Sequence, residues 1–99
     1  MDPRDEGASP IPAPMIFRLC SDRLSLEAIP KRKLTVDLTR FEHRADVNVM
    51  LRTPYFLVIR FDDGSEVTLR KDGRMIIRRI RDERVAGRIA QRALAIGTV

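Results

Sequence analysis

One cysteine and one histidine are all that this 99-residue chain offers to nucleophilic or general-base catalysis. Cys20 stands between Arg18 and Arg23, cations able to lower a thiol pKa and favour the reactive thiolate. Its place between Leu19 and a strand fits simple packing equally well, because free cysteines behave as small buried hydrophobes. His43 lies between Glu42 and Arg44 on the polar side of a candidate helix, the setting of a surface residue. A triad of Cys20, His43 and Asp46 can be drawn, yet no spacing demands it. Asp62, Asp63, Glu66 and Asp72 are oxygen ligands by type, but they fall at hairpin turns, where Asp bonds its own backbone. They also lack the spacing of a calcium loop. A single thiol excludes an internal disulfide and a multi-thiolate zinc site. The chain is therefore expected to hold no metal or cofactor and to be no enzyme.

Arginine supplies the remaining chemistry. Nineteen basic residues face fourteen acidic ones, for a net charge of +5, and all but three of the basic residues are arginine. The guanidinium is a flat fork suited to carboxylate or phosphate, so the excess points to an acidic protein or to nucleic acid. Arginine used as an ordinary surface cation explains the same composition. The positive charge gathers in residues 52–92, above all in Arg78-Arg79-Ile80-Arg81 with Arg84, Arg88 and Arg92, while residues 1–14 are net acidic. No apolar run approaches the ~20 residues needed to span a bilayer, and the acidic, Pro-rich start is no secretory signal. The expected location is the cytoplasm, with no membrane partner.

These side chains need a scaffold, and its signals are clearest from Tyr55 to Ile80. Three runs of strand character, Tyr55–Phe61, Ser65–Arg70 and Arg74–Ile80, are separated by Asp63-Gly64 and Asp72-Gly73, and Asp-Gly is a strong hairpin signal. Earlier, Leu24–Ile29 alternates as a strand ended by Pro30 and Lys31-Arg32-Lys33. The segment 36–46 reads as a helix capped by Thr35, with Leu38, Phe41 and Ala45 on one side. Val47–Arg52 alternates again. Asp82 and Glu83 open a last helix with an apolar stripe through Val85, Ala86, Ile89, Ala90, Ala93 and Leu94, and Gly97 stops it. Residues 1–14, with four prolines, read as a disordered leader, and residues 15–97 form one α+β domain. The order β-α-β-β-β-β-α implies an antiparallel sheet covered on one face by two helices.

Strand alternation sorts the residues by face. Val47, Val49, Leu51, Tyr55, Leu57, Ile59, Phe61, Val67 and Leu69 turn to the helices. Asn48, Met50, Arg52, Phe56, Val58, Arg60, Glu66, Thr68 and Arg70 turn to the open side. Period alone does not place Ile76, Ile77 and Ile80. An open face mixing arginine with apolar residues fits a docking surface, formed by Asn48, Arg52, Phe56, Arg60, Arg70 and Arg78. An apolar face and an unpaired edge strand also invite homodimerisation.

The topology resembles one half of the saddle-shaped TATA-binding protein, an antiparallel sheet backed by two helices. The positions of that family's phenylalanine wedges fall here on Thr53 and Arg70. In detail the chain resembles the C-terminal tail domain of bacterial adenylyltransferases of the ThiF, MoeB and HesA type, which activate ubiquitin-like sulfur carriers. The resemblance spans residues 18–97. It rests on Leu19-Cys20, Ile29-Pro30, Val36-Asp37-Leu38, Arg52 to Phe61, Asp63-Gly64, Val67-Thr68-Leu69, Asp72 to Ile77, Asp82 to Ala90 and Ile96-Gly97. The nucleotide-binding glycine motif and the paired cysteines of those enzymes have no counterpart here. The resemblance thus implies the tail without the reaction: a non-enzymatic interaction module for an adenylyltransferase or a sulfur carrier, docking through the arginine-bearing open sheet. Nucleic-acid binding through the same face is the alternative, and a Cys20-dependent sulfur acceptor is a third.

Overall fold

Two short strands near the start, Met15–Leu19 (β1) and Leu26–Pro30 (β2), pair antiparallel around a turn. Asp22 Oδ1 accepts from the Leu24 amide and Cys20 N–H donates to the Ser25 carbonyl. This computed structural model describes residues 14–99, so nearly all of the expected leader lies outside the described residues. The strand expected at Leu24–Ile29 begins two residues later, and β1 is an additional strand that alternation did not mark.

After β2 the chain crosses to the far edge of the sheet. It lays down Val47–Arg52 (β3), Phe56–Phe61 (β4), Glu66–Arg70 (β5) and Met75–Ile77 (β6) as an antiparallel meander. β6 then pairs with β2, closing a six-stranded open sheet in the order β1-β2-β6-β5-β4-β3. The turns at Gly64 (φ 91°) and Gly73 (φ 87°) adopt the left-handed backbone that the Asp-Gly pairs foretold. The last strand is shorter than the expected Arg74–Ile80, because Arg79 turns the backbone to φ 60°. β4 starts at Phe56 and not at Tyr55. Thr53 Oγ1 accepts from the Tyr55 and Phe56 amides, and the turn they form leaves Tyr55 76% exposed.

Among the described residues there is one α-helix, Glu83–Gly97 (α1), which starts at Asp82, whose carboxylate accepts from the Arg84 amide. Ala86, Ile89, Ala90, Ala93 and Leu94 press it onto the sheet, against Leu26, Ala28, Leu57, Ile59, Phe61, Val67, Leu69, Met75 and Ile77. Gly97 ends the helix at a close approach. A Cβ there would sit 2.8 Å from both Phe41 Cε2 and Val36 Cγ1.

The second expected helix, over residues 36–46, is a single 3-10 turn, Leu38–Phe41, capped by Asp37 and not by Thr35. Val36 is held extended, its amide bonded to the Lys71 carbonyl and its backbone bridged to Thr98. Glu42 is extended again and His43 left-handed. Leu38 and Phe41 need only one turn to reach the core, and Ala45 stays exposed. Thr35, Val36 and Thr39 add β-branched stiffness that disfavours a longer helix. One helix and one 3-10 turn therefore cover the sheet where two helices were expected. Among the described residues, no helix is long and apolar enough to cross a membrane.

Candidate docking surface

Register fixes which residues share the uncovered face, because directly paired residues point the same way. A row crosses all six strands: Arg18, Glu27, Ile76, Thr68, Val58 and Leu51. Beside it, Ile16 pairs with Ile29 and Phe56 with Arg70, while Asn48, Arg60 and Glu66 form a parallel row that Arg78 extends. Apolar residues thus reach from edge to edge, with Ile76 38% exposed on β6, Leu51 51% on edge strand β3 and Ile16 50% on edge strand β1. Arginine stands around them.

Of the six residues expected on this face, five are on it. Asn48 sits on edge strand β3 and donates to the Met50 sulfur at 3.5 Å. Phe56 is half-buried beside Arg70. Arg60, Arg70 and Arg78 are exposed. Arg52 is the exception. The pairing jumps from Val49–Ile59 to Leu51–Val58, so Met50 is the extra residue of a β-bulge. Every residue beyond it changes sides. Leu51, expected in the core, joins the open face, and Arg52 swings to the covered side, where its Nη1 donates to Glu42 Oε2 at 2.6 Å. Simple alternation carried both residues to the wrong face.

The face is much less positive than its arginines suggest. Arg18 pairs with Glu27 at 2.7 Å and Arg70 with Asp72 at 2.9 Å. Arg60 and Arg78 share Glu66, at 3.3 and 3.5 Å. Four guanidinium groups therefore share three carboxylates. Each pair is solvent-exposed and weak, so it stabilises the fold little and can exchange its partner for an incoming group.

The setting of Cys20 disfavours its thiolate. Partial burial pushes its thiol above the ordinary range, the charges of Asp22 and Glu27 push it further, and Arg18 opposes them least. Arg18, the expected activator, is already engaged by Glu27. His43 and Asp46 lie on the far connection next to β3, whereas Cys20 follows β1 at the opposite edge, so the drawn triad does not assemble. Among the described residues, no cluster of His, Cys, Asp or Glu is arranged to hold a metal ion.

Sequence reading missed the isoleucines of the face. Ile76 lay in a run where period could not choose between neighbours, and only the pairing of Met75 and Ile77 with core residues resolves it. Ile16 and Ile29 belong to a hairpin half of which went unassigned. Comparison with protein-family models, curated proteins and solved structures finds no match to this chain.

Proposed function

We propose that this chain is a non-enzymatic protein-interaction module that docks an acidic protein partner on its open sheet face. The observation that carries the reading is the row Ile76–Thr68–Val58–Leu51, apolar but for Thr68, uncovered on a six-stranded sheet and bordered by arginines already paired to carboxylates. A protein interface needs an apolar centre and an exchangeable polar rim, and this face has both. A polyanion surface would instead favour cations left uncompensated.

The nearest chemical setting is the one implied by the resemblance: a partner from adenylyltransferase or ubiquitin-like sulfur-carrier chemistry, with this chain acting as a free-standing tail on a TATA-binding-protein half-repeat fold. An antiparallel sheet with its helix on one side supports that fold, with a 3-10 turn standing where the half-repeat has a further helix.

Biolayer interferometry tests the reading with a purified ThiF-type adenylyltransferase and its Gly-Gly-ended carrier from the same organism. Saturable binding to either, lost in Ile76→Glu and Arg70→Glu but kept in Arg52→Glu, is the expected result. No binding to either protein, or equal loss in all three variants, overturns it. Nucleic-acid binding is the second reading, favoured by the arginine-rich stretch from Arg78 to Arg88. It requires retention of duplex or single-stranded DNA between about 50 and 200 mM salt, where phosphate contacts weaken steeply.

A further inference from the structure

A cavity of about 550 Å³ opens where the β4–β5 turn meets the chain leaving β6, lined by Arg60, Asp63, Glu66, Arg78, Arg79 and Ile80 among others. That volume lies within the range of ligand-binding clefts. Two of its arginines converge on one carboxylate, Arg60 on Glu66 Oε1 and Arg78 on Glu66 Oε2, both at the long end of ion-pair geometry. The third, Arg79, has no ion-pair partner among the described residues.

Arg79 also sits at a backbone cost. Its backbone sits at φ 60°, as those of Arg23 and His43 sit near it, in the left-handed region that glycine enters without strain and any residue with a Cβ enters at a cost. Its amide is pinned by Ser25 Oγ at 3.3 Å, and Ser25 is buried. The bend itself needs only a backbone, whereas arginine at the bend adds a cationic residue to the cavity lining.

We propose that this cavity is a carboxylate-binding site that takes one acidic side chain from the docked partner, with Arg79 as its open donor and Glu66 as the internal anion it competes with. The proposal rests on the docking reading above and deepens it. Three guanidinium groups around Glu66 and Asp63 leave one net positive charge, matched to a single carboxylate. Asp63 is itself held below the usual carboxylate range by the hydroxyl and amide of Ser65, so it stays ionised and committed to its turn. The partner's carboxylate approaches Arg79, and Arg60 and Arg78 rotate from their long Glu66 contacts to share it.

The test follows the arginine Nε–Hε resonances of the full chain during titration with a capped oligoglutamate peptide, with capped oligoglutamine as control, at constant ionic strength. Oligoglutamate shifts Arg60, Arg78 and Arg79, and oligoglutamine does not. Arg79→Gly keeps or raises Tm, since glycine relieves the bend, yet binds oligoglutamate about tenfold more weakly, the loss of one charge-assisted hydrogen bond. Glu66→Gln binds about threefold more tightly, because the internal competitor is gone. Unchanged affinity in both variants overturns the site. Oligoglutamate shifts confined to Arg18 and Arg70 also overturn it while leaving the docking face intact. Binding of the adenylyltransferase or carrier that survives Arg79→Gly undiminished separates the two in the same way.

Discussion

Ile76 and Ile77 are neighbours in one three-residue strand, yet one is 38% exposed and the other fully buried. Their contrast is the contrast between the two faces of the sheet. On the covered side, side chains from distant parts of the chain are locked together. Arg92 of α1 stacks over the Phe61 ring at 4.3 Å while donating to Asp62 at 2.8 Å and Asp46 at 3.4 Å, and Arg44 holds Asp46 from a second direction. On the open side, Glu66 likewise gathers two arginines, but all three residues are already placed by strand register. The first cluster adds constraint to the fold. The second adds almost none, which leaves its charges available to a partner.

Truncating the two isoleucines gives the largest expected difference. Ile77→Ala destabilises by about 2–5 kcal/mol through cavity formation, whereas Ile76→Ala stays within about 0.5 kcal/mol. Urea denaturation of both variants checks this, and equal losses would mean that the open face is covered in solution. Next in size is Gly97→Ala. The new methyl meets buried Phe41 and Val36, neither able to yield, and overpacking outweighs the gain in helix propensity by about 1–2 kcal/mol. Thermal unfolding reads it directly.

Arginine substitutions sharpen the comparison further. Arg92→Met retains much of the packing on Phe61 but removes the charge from Asp46 and Asp62, lowering Tm by a few degrees. Arg60→Met leaves Tm unchanged within error. A double-mutant cycle between Arg92 and Asp62 then shows coupling, and one between Arg60 and Glu66 shows little.

The smallest effect is the acid response. Asp46, whose main cause is the Arg44 hydrogen bond, and Asp37, bonded to Thr39, are both held below the ordinary carboxylate value near 3.9. A depressed folded pKa contributes stability that is complete above the unfolded value and disappears as pH falls through the folded one. Tm is therefore flat above about pH 5 and declines below about pH 4. Asp46→Asn shallows that decline, as scanning calorimetry against pH would register.

The legible parts of this fold were those with local, self-sufficient signals. Asp63-Gly64 and Asp72-Gly73 announced two turns because left-handed backbone selects glycine there. Asp82 and the spacing from Ala86 to Leu94 announced α1 because cap and stripe are both encoded within a few residues. The bulge was not legible. Val47, Val49 and Leu51 keep perfect alternation straight through Met50, and only the pairing of Leu51 with Val58 reveals the slip. The 3-10 turn was hidden for a related reason. Leu38 and Phe41 satisfy a helical spacing, but the backbone of Val36 and Asp37 is claimed by Lys71 and Gly97, residues far along the chain. The candidate site inherited both outcomes: Arg60, Arg70 and Arg78 lie on the open face as alternation and charge suggested, Arg52 does not, and Arg79 stood out only as part of a basic cluster because no pattern marks its bend.

The strand order also sets a timetable for synthesis. Leu26 finds its partner Ile77 only after about fifty intervening residues have been made. During translation the first hairpin emerges early with Leu26 and Ala28 bare, while β3, β4 and β5 assemble by short, fast turns. Closing β2 against β6 carries the loop-closure entropy of the whole crossing, so it is the late event of folding. A chain ending before Met75 lacks β6, the strand that β2 pairs with, and its first hairpin would keep Leu26 and Ala28 uncovered, within reach of a chaperone.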